Sequence, residues 1–230
     1  MAMAIMRRFT PDGRRERALA SAPEGPMRGY LSVPFPNLSL DVRQAPILAV
    51  DVETTGLDPA KDHLLSVGFV PIDGMRIDLS GARQIVIRHH GVGQSAVVHG
   101  LTDDILAEGE DLQTAVEAAL AALTGRVMLA HFCDIEEGFL NAACQSLFGT
   151  EFRCLSLDTM QLQRRVYGEA WTSAPSGSLR LPGAREKMGL PRYRSHEALT
   201  DALACAELFL AQVALLSRGG GMSLHQLRRT

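Results

Sequence analysis

From Pro46 onward the apolar positions fall into two periods. Ile47 to Val52 is an almost unbroken aliphatic and β-branched run, the pattern of a strand buried on both faces of a sheet. Leu64 to Val70 reads as a second strand, and Ile72-Asp73-Gly74-Met75 carries the Asp-Gly signal of a tight hairpin into a third. Gln84 to Arg88 continues or follows that strand. Leu112, Val116, Ala119, Leu120 and Leu123 recur at helical spacing, and Gly125 ends the helix. Val127 to Ala130 reads as a short buried strand, Glu136 to Leu147 as a helix and Phe152 to Leu157 as the last strand. A flexible loop over Gly168 to Gly177 leads to two helices, Leu179 to Met188, stopped by Gly189 and Pro191, and a long one from about Glu197 to Leu216. Hairpin-linked strands followed by alternating helices and strands predict an α/β protein, a mixed central sheet of about five strands flanked by helices.

The first 45 residues differ. They are rich in Arg, Pro and Gly around one short helical possibility, Arg14 to Ala22, and read as an arm or leader, partly ordered. Residues 46–216 form the main domain and 217–230 a short tail. With 46% hydrophobic residues in a chain of 230, global disorder is excluded. The net charge of -3 speaks against holding nucleic acid by bulk charge, so any such contact must be local. Cys133, Cys144, Cys154 and Cys205 show no C-x-x-C spacing and fit a reducing cytoplasm. The N-terminus lacks the pattern of a secretory signal. The longest apolar stretch, Ala202 to Leu216, carries Glu207 and is too short for a bilayer, so no membrane partner is expected.

Candidate chemistry starts at Val50-Asp51-Val52-Glu53. Strand side chains alternate, so Asp51 and Glu53 point to one face at the end of an apolar strand. Two such anions call for a positive partner, either a hard divalent cation or an Arg, unless water solvates them. Ser195-His196-Glu197-Ala198-Leu199-Thr200-Asp201 opens the last long helix, and Asp201 sits among Ala and Leu, an unusual setting for an acid. His196 reads either as a helix-start residue bonded to backbone or as a general base beside a metal ligand.

Asp51-x-Glu53-Thr54-Thr55-Gly56 after a buried strand, His99-Gly100-Leu101-Thr102, His131 ahead of Gly138-Phe139-Leu140, and His196-x-x-x-x-Asp201 occur in order. Together they resemble the DnaQ-like DEDDh family of 3'-5' exonucleases, which includes the DNA polymerase III epsilon subunit. The similarity runs from about Ala45 to Gln212. It implies a ribonuclease H-like fold and a metal-dependent enzyme that removes nucleoside monophosphates from the 3' end of single-stranded or frayed DNA. It implies two divalent cations, Mg or Mn, held by Asp51, Glu53, Glu136 and Asp201, with His196 as the base for the attacking water. Thr54, Thr55, Gly56 and Leu57 match the segment against the terminal nucleotide, and His99 matches a residue near the terminal sugar. Plainer roles stand beside these: Gly56 as a turn, Leu57 as core, His99 as a helix cap.

The second motif departs from the family. Where an Asp is usual this chain has Glu136, and Asp134 competes for the role. Residues two apart on a helix point about 200° apart, so only one can face the site. The fixed register to Phe139 and Leu140 favours Glu136, on a helix whose apolar side should include Ile135, Phe139, Leu140 and Ala143. That leaves Asp134 as a first-turn acid favoured by the helix dipole. Arg180, Arg185, Arg192 and Arg194 are candidates for gripping phosphate, with ordinary surface arginines as the alternative. An exoribonuclease or small-oligonucleotide nuclease and a non-catalytic polymerase-associated docking module are the competing functions. The expected partners are the 3' end of single-stranded DNA or RNA and a polymerase or replication protein. The sequence carries no signal of oligomeric state.

Overall fold

A computed structural model describes residues 10–89, 101–193, 196–217 and 219–228. The sheet is built from β1 (Ile47–Thr54), β2 (Leu64–Asp73), β3 (Arg76–Ile77), β4 (Arg83–Val86), β5 (Val127–Ala130) and β6 (Ser156–Asp158). Its order is β3-β2-β1-β5-β6, and β4 shares the outer edge of β2 with β3. β1 runs antiparallel to β2, with Asp51 opposite Gly68, and parallel to β5, which runs parallel to β6. The C-terminal ends of β1, β5 and β6 therefore meet at one end of the sheet, where open α/β sheets present their ligand sites. The Asp73-Gly74 hairpin forms as its sequence requires, with Gly74 and Met75 at φ of 58° and 60°.

The helices are α1 (Pro11–Ser21), α2 (Pro26–Ser32), α3 (Asp103–Ala107), α4 (Leu112–Leu123), α5 (Asp134–Phe148), α6 (Thr159–Tyr167), α7 (Leu181–Lys187), α8 (Ala198–Ser217) and α9 (Leu224–Leu227). α8 packs across β1 and β2, while α4 and α5 pack on each other and on β1. The 20 residues of α8 make it, by length and composition, apolar enough to cross a bilayer, so the helix outruns the apolar stretch read from the sequence. Here it is the helix seated on the sheet, with Ala202, Cys205, Ala206 and Phe209 in the core.

Residues 10–45 pack onto this body. Met27, Tyr30 and Leu31 are buried in the same core as β1. Buried Arg15 donates to the Leu31 carbonyl and pairs with Asp12, and the Tyr30 hydroxyl donates to the Arg153 carbonyl at 2.7 Å. α9 lies against the same segment: Leu224 N donates to Leu40 O at 3.0 Å and Val42 N to Met222 O at 2.8 Å.

Four readings of the sequence are corrected. The last strand begins at Ser156 rather than Phe152, because the Phe152 ring stacks on Tyr30 and its N–H is capped by Asn141. α6 follows at once, unannounced by its polar sequence. The expected loop at Gly168 opens with a 3₁₀ turn, Gly168–Ser173, that brings Trp171 over Arg164. On α5, Ile135 is only half-buried, whereas Phe139, Leu140 and Ala143 are in the core.

Candidate active site

Two carboxylates leave β1 on one face, and the third arrives on α8. Gly68, opposite Asp51, lets the start of α8 touch the sheet: a Cβ there would stand 2.2 Å from the Ala198 carbonyl carbon. The Gln84 side-chain oxygen accepts from Leu199 N at 3.0 Å and fixes the first turn. Asp201 Oδ2 accepts from the backbone N of His196 at 2.8 Å, which holds His196 at a φ of +76°, a strained value for a residue with a side chain. As a result Asp51, Glu53 and Asp201 each present an oxygen within 4.8 Å of the others. Gly68→Ala is expected to unseat α8 and destabilise the protein by about 1–3 kcal/mol, read as a lower denaturant midpoint.

The fourth carboxylate comes from α5. Glu136 is 3% exposed, and its Oε2 is buried without a hydrogen-bond partner. Its charge acts on Asp51. Asp134, two residues earlier, is exposed and lines a different groove with Arg14, Glu137 and Asn141. Of the two, Glu136 is thus the buried acid and Asp134 the exposed one. A further acid, Asp158, is buried and closes β6. Its Oδ1 caps α6 through Met160 N at 2.8 Å and accepts from Phe132 N at 3.1 Å, so it holds Phe132 at a φ of +76°. Asp158 was missed in the sequence, although an Asp ending an apolar run is a legible N-cap signal.

Burial and mutual repulsion raise the proton affinity of this cluster. Asp51 is pushed well above the ordinary carboxylate range by desolvation, then by the charges of Glu136, Asp201 and Glu53. Desolvation, with Asp201 and Glu197, moves Glu53 up to about 8. Glu136 also rises to about 8, through desolvation and then the neighbouring acids Asp158, Glu137 and Asp134, against a backbone hydrogen bond that lowers it. Asp201 is raised less, because the His196 N–H offsets its desolvation.

The residues after β1 form a braced loop. Thr54 Oγ1 donates to Gly56 O at 2.6 Å, Thr55 Oγ1 donates to Asp62 Oδ1 at 3.2 Å, and a Cβ at Gly56 would collide with the Asp62 carboxylate at 2.5 Å. That bracing presents Leu57 to solvent at 76% exposure, so it is not core. Phe132, 41% exposed at the end of β5, is a second apolar side chain offered to water. His131 is structural: it is half-buried, with Nδ1 2.8 Å from Thr159 Oγ1 and Nε2 2.8 Å from Leu179 O. His99 and Arg194 lie outside the described residues.

The proposed arginine grip needs correction at Arg185. That guanidinium is buried against α8, donates to the carbonyls of Ala204 and Pro191 and pairs with Glu207 at 2.8 Å, so it is not offered to phosphate at the surface. Arg192 is exposed and pairs with Glu186 at 2.8 Å, and Arg180 is exposed at the start of α7.

No Lys or Arg forms an ion pair with Asp51, Glu136 or Asp201 among the described residues. The converging oxygens of Asp51, Glu53 and Asp201, together with the orphaned buried oxygen of Glu136, make a donor set that fits a hard divalent cation such as Mg or Mn.

The comparisons agree with this geometry. The exonuclease family model of the ribonuclease T type matches residues 48–209. A PolC-type DNA polymerase III of Thermotoga petrophila is 28% identical over 199 residues, 83% of this chain but only 14% of that protein. This chain thus spans about one seventh of that relative. The DNA polymerase III epsilon subunit of Pasteurella multocida is 26% identical over 186 residues, covering 77% of this chain and 70% of that protein. Among solved structures, the nuclease domain of 3'hExo, a DEDDh family member bound to rAMP, superimposes with a TM-score of 0.60 at 16% identity. That match covers 82% of this chain and 98% of the other, and the fold is the ribonuclease H-like one. With the family model spanning most of its length, the chain belongs to the ribonuclease T family of exonucleases.

Proposed function

We propose that this chain removes nucleoside monophosphates one at a time from the 3' end of single-stranded or frayed DNA. The observation that carries the reading is the convergence of Asp51, Glu53 and Asp201 within 4.8 Å, with buried Glu136 beside them. In this reading Asp51, Glu53, Asp201 and Glu136 would hold the divalent cations, Glu136 helping the second of them. Bound there, the cations supply Lewis acidity and lower the pKa of an attacking water. His196 takes the proton from that water. Its backbone is pinned by Asp201 while its side chain stays exposed at the helix entrance. Thr54, Thr55, Gly56 and Leu57 receive the terminal nucleotide, the exposed Leu57 side chain resting against its base, and His99 serves its sugar. DNA is favoured over RNA by the two polymerase relatives, which also support a replication partner and a cytoplasmic setting.

If Glu136 is a cation ligand and Asp134 only a first-turn acid, the two alanine variants separate cleanly. Glu136→Ala is expected to lose at least about 10²-fold in kcat, and Asp134→Ala to stay within about twofold. Steady-state kinetics in Mg and in Mn read the difference, and loss confined to Asp134→Ala overturns the assignment.

The function itself is tested by digesting matched 5'-labelled DNA and RNA strands, single and double, with Asp201→Ala as control. Shortening from the 3' end, fastest on single-stranded DNA and absent in the variant, is expected. Faster digestion of RNA would transfer the activity to the exoribonuclease reading. Intact strands in Mn would leave a docking module.

A further inference from the structure

A second feature lies along α6, and none of the site carboxylates lines it. A groove of about 480 Å³ opens between α6, the 168–173 turn and α9. Its walls carry Arg164, Arg165, Arg228 and Trp171, the chain's only tryptophan, and no acidic residue. Trp171 is 42% exposed, and the Arg164 guanidinium stands 5.1 Å from the centre of its ring. Arg164 makes one long hydrogen bond, 3.4 Å to Gln161 Oε1, while its Nε is buried without a partner. Arg165 donates to the Gln226 carbonyl at 2.6 Å. None of the three arginines forms an ion pair with a carboxylate among the described residues. In a chain of net charge -3, three uncompensated cations around an exposed indole are a concentrated positive site.

Such a site suits one polymer in particular. A single strand offers phosphates to guanidinium groups and unpaired bases to an aromatic face, and the two attractions together define grooves that bind it without regard to sequence. The position also suits it. α6 starts next to Asp158, whose charge acts on Glu136. At 1.5 Å per residue, Arg165 lies roughly 10 Å along the helix from that end. A strand with its 3' end at the carboxylates reaches the groove within a few nucleotides.

We propose that the groove holds the substrate strand upstream of the scissile end, a base stacking on Trp171 and phosphates lying against Arg165 and Arg228. The proposal rests on the carboxylate cluster being where the 3' end is cut. An acidic peptide from a protein partner is the competing occupant.

The lone tryptophan makes the test direct. In EDTA, which prevents cutting, a DNA single strand of about ten nucleotides is titrated into the protein while Trp171 emission is followed and binding is read independently from the anisotropy of a labelled strand. Emission is expected to be quenched in step with binding. Log affinity should fall against log salt with a slope of about -1.4, lessened by at least about 0.7 in Arg165→Glu or Arg228→Glu. In Mg, Trp171→Ala is expected to raise KM for the longer strand by roughly 5- to 100-fold and to leave hydrolysis of a dinucleotide unchanged. Bound strand with unchanged wild-type emission, or an acidic peptide quenching where the strand does not, overturns the proposal. Cleavage with a KM independent of strand length does the same while leaving the nuclease reading intact. If neither length is cut, that reading fails, and the quench in EDTA still decides the groove.

Discussion

Asp51→Asn is expected to lower kcat by at least about 10³-fold and, in the same protein, to raise the melting temperature measured in EDTA at a pH above about 8, where the cluster is charged. The two effects have one cause. The Asp51 carboxylate is half-buried and feels the charges of Glu136, Asp201 and Glu53, an arrangement useful to a cation and costly without one. Asparagine keeps the shape and removes the charge. At roughly 3 °C per kcal/mol for a chain of this size, relief of the repulsion should appear as a gain of several degrees. A variant that merely damaged the fold would lose activity and stability together, so the opposite signs are diagnostic. Full activity in Asp51→Asn would remove it from the chemistry.

The second large effect is a pH-dependent response to metal. Glu53 and Glu136 have folded-state values of about 8 against an unfolded value of 4.5. Below the unfolded value both states carry the proton and burial costs nothing extra. Between the two values unfolding releases protons, so this cluster's contribution falls as pH rises, and above about 8 the full penalty applies. A divalent cation binds only the deprotonated cluster and cancels that penalty. Millimolar Mg or Mn should therefore raise the melting temperature over EDTA by roughly 5–10 °C at pH 8, and by much less at pH 5. Thermal melts at both values check this. A temperature indifferent to the cation at pH 8 would count against metal at this cluster.

Much of this site was legible because its parts sit where local rules are strong. Ile47–Thr54 and Val127–Ala130 are apolar runs that only a central strand uses, and period two then places Asp51 and Glu53 together. Helical geometry separated Glu136 from Asp134, and the fold buries the first and leaves the second at the surface. What was not legible depends on contacts distant in sequence. Arg185 looks like any arginine of a basic stretch until the carbonyls of Ala204 and Pro191 and the carboxylate of Glu207 surround it. The value of Gly68 lies in a helix 130 residues further on, and no local pattern shows it. α6 hid because its residues are largely polar and its cap, Asp158, belongs also to the end of β6. Trp171 and Arg165 are unremarkable in sequence, and only folding brings Arg228 beside them.

The most direct measurement uses a DNA single strand labelled at its 3'-terminal nucleotide, incubated with the purified chain in Mn and, in parallel, in EDTA. Labelled nucleoside monophosphate should be the first product in Mn and absent in EDTA. Label retained on the strand in Mn, or released equally in EDTA, would contradict metal-dependent cleavage at Asp51, Glu53, Glu136 and Asp201.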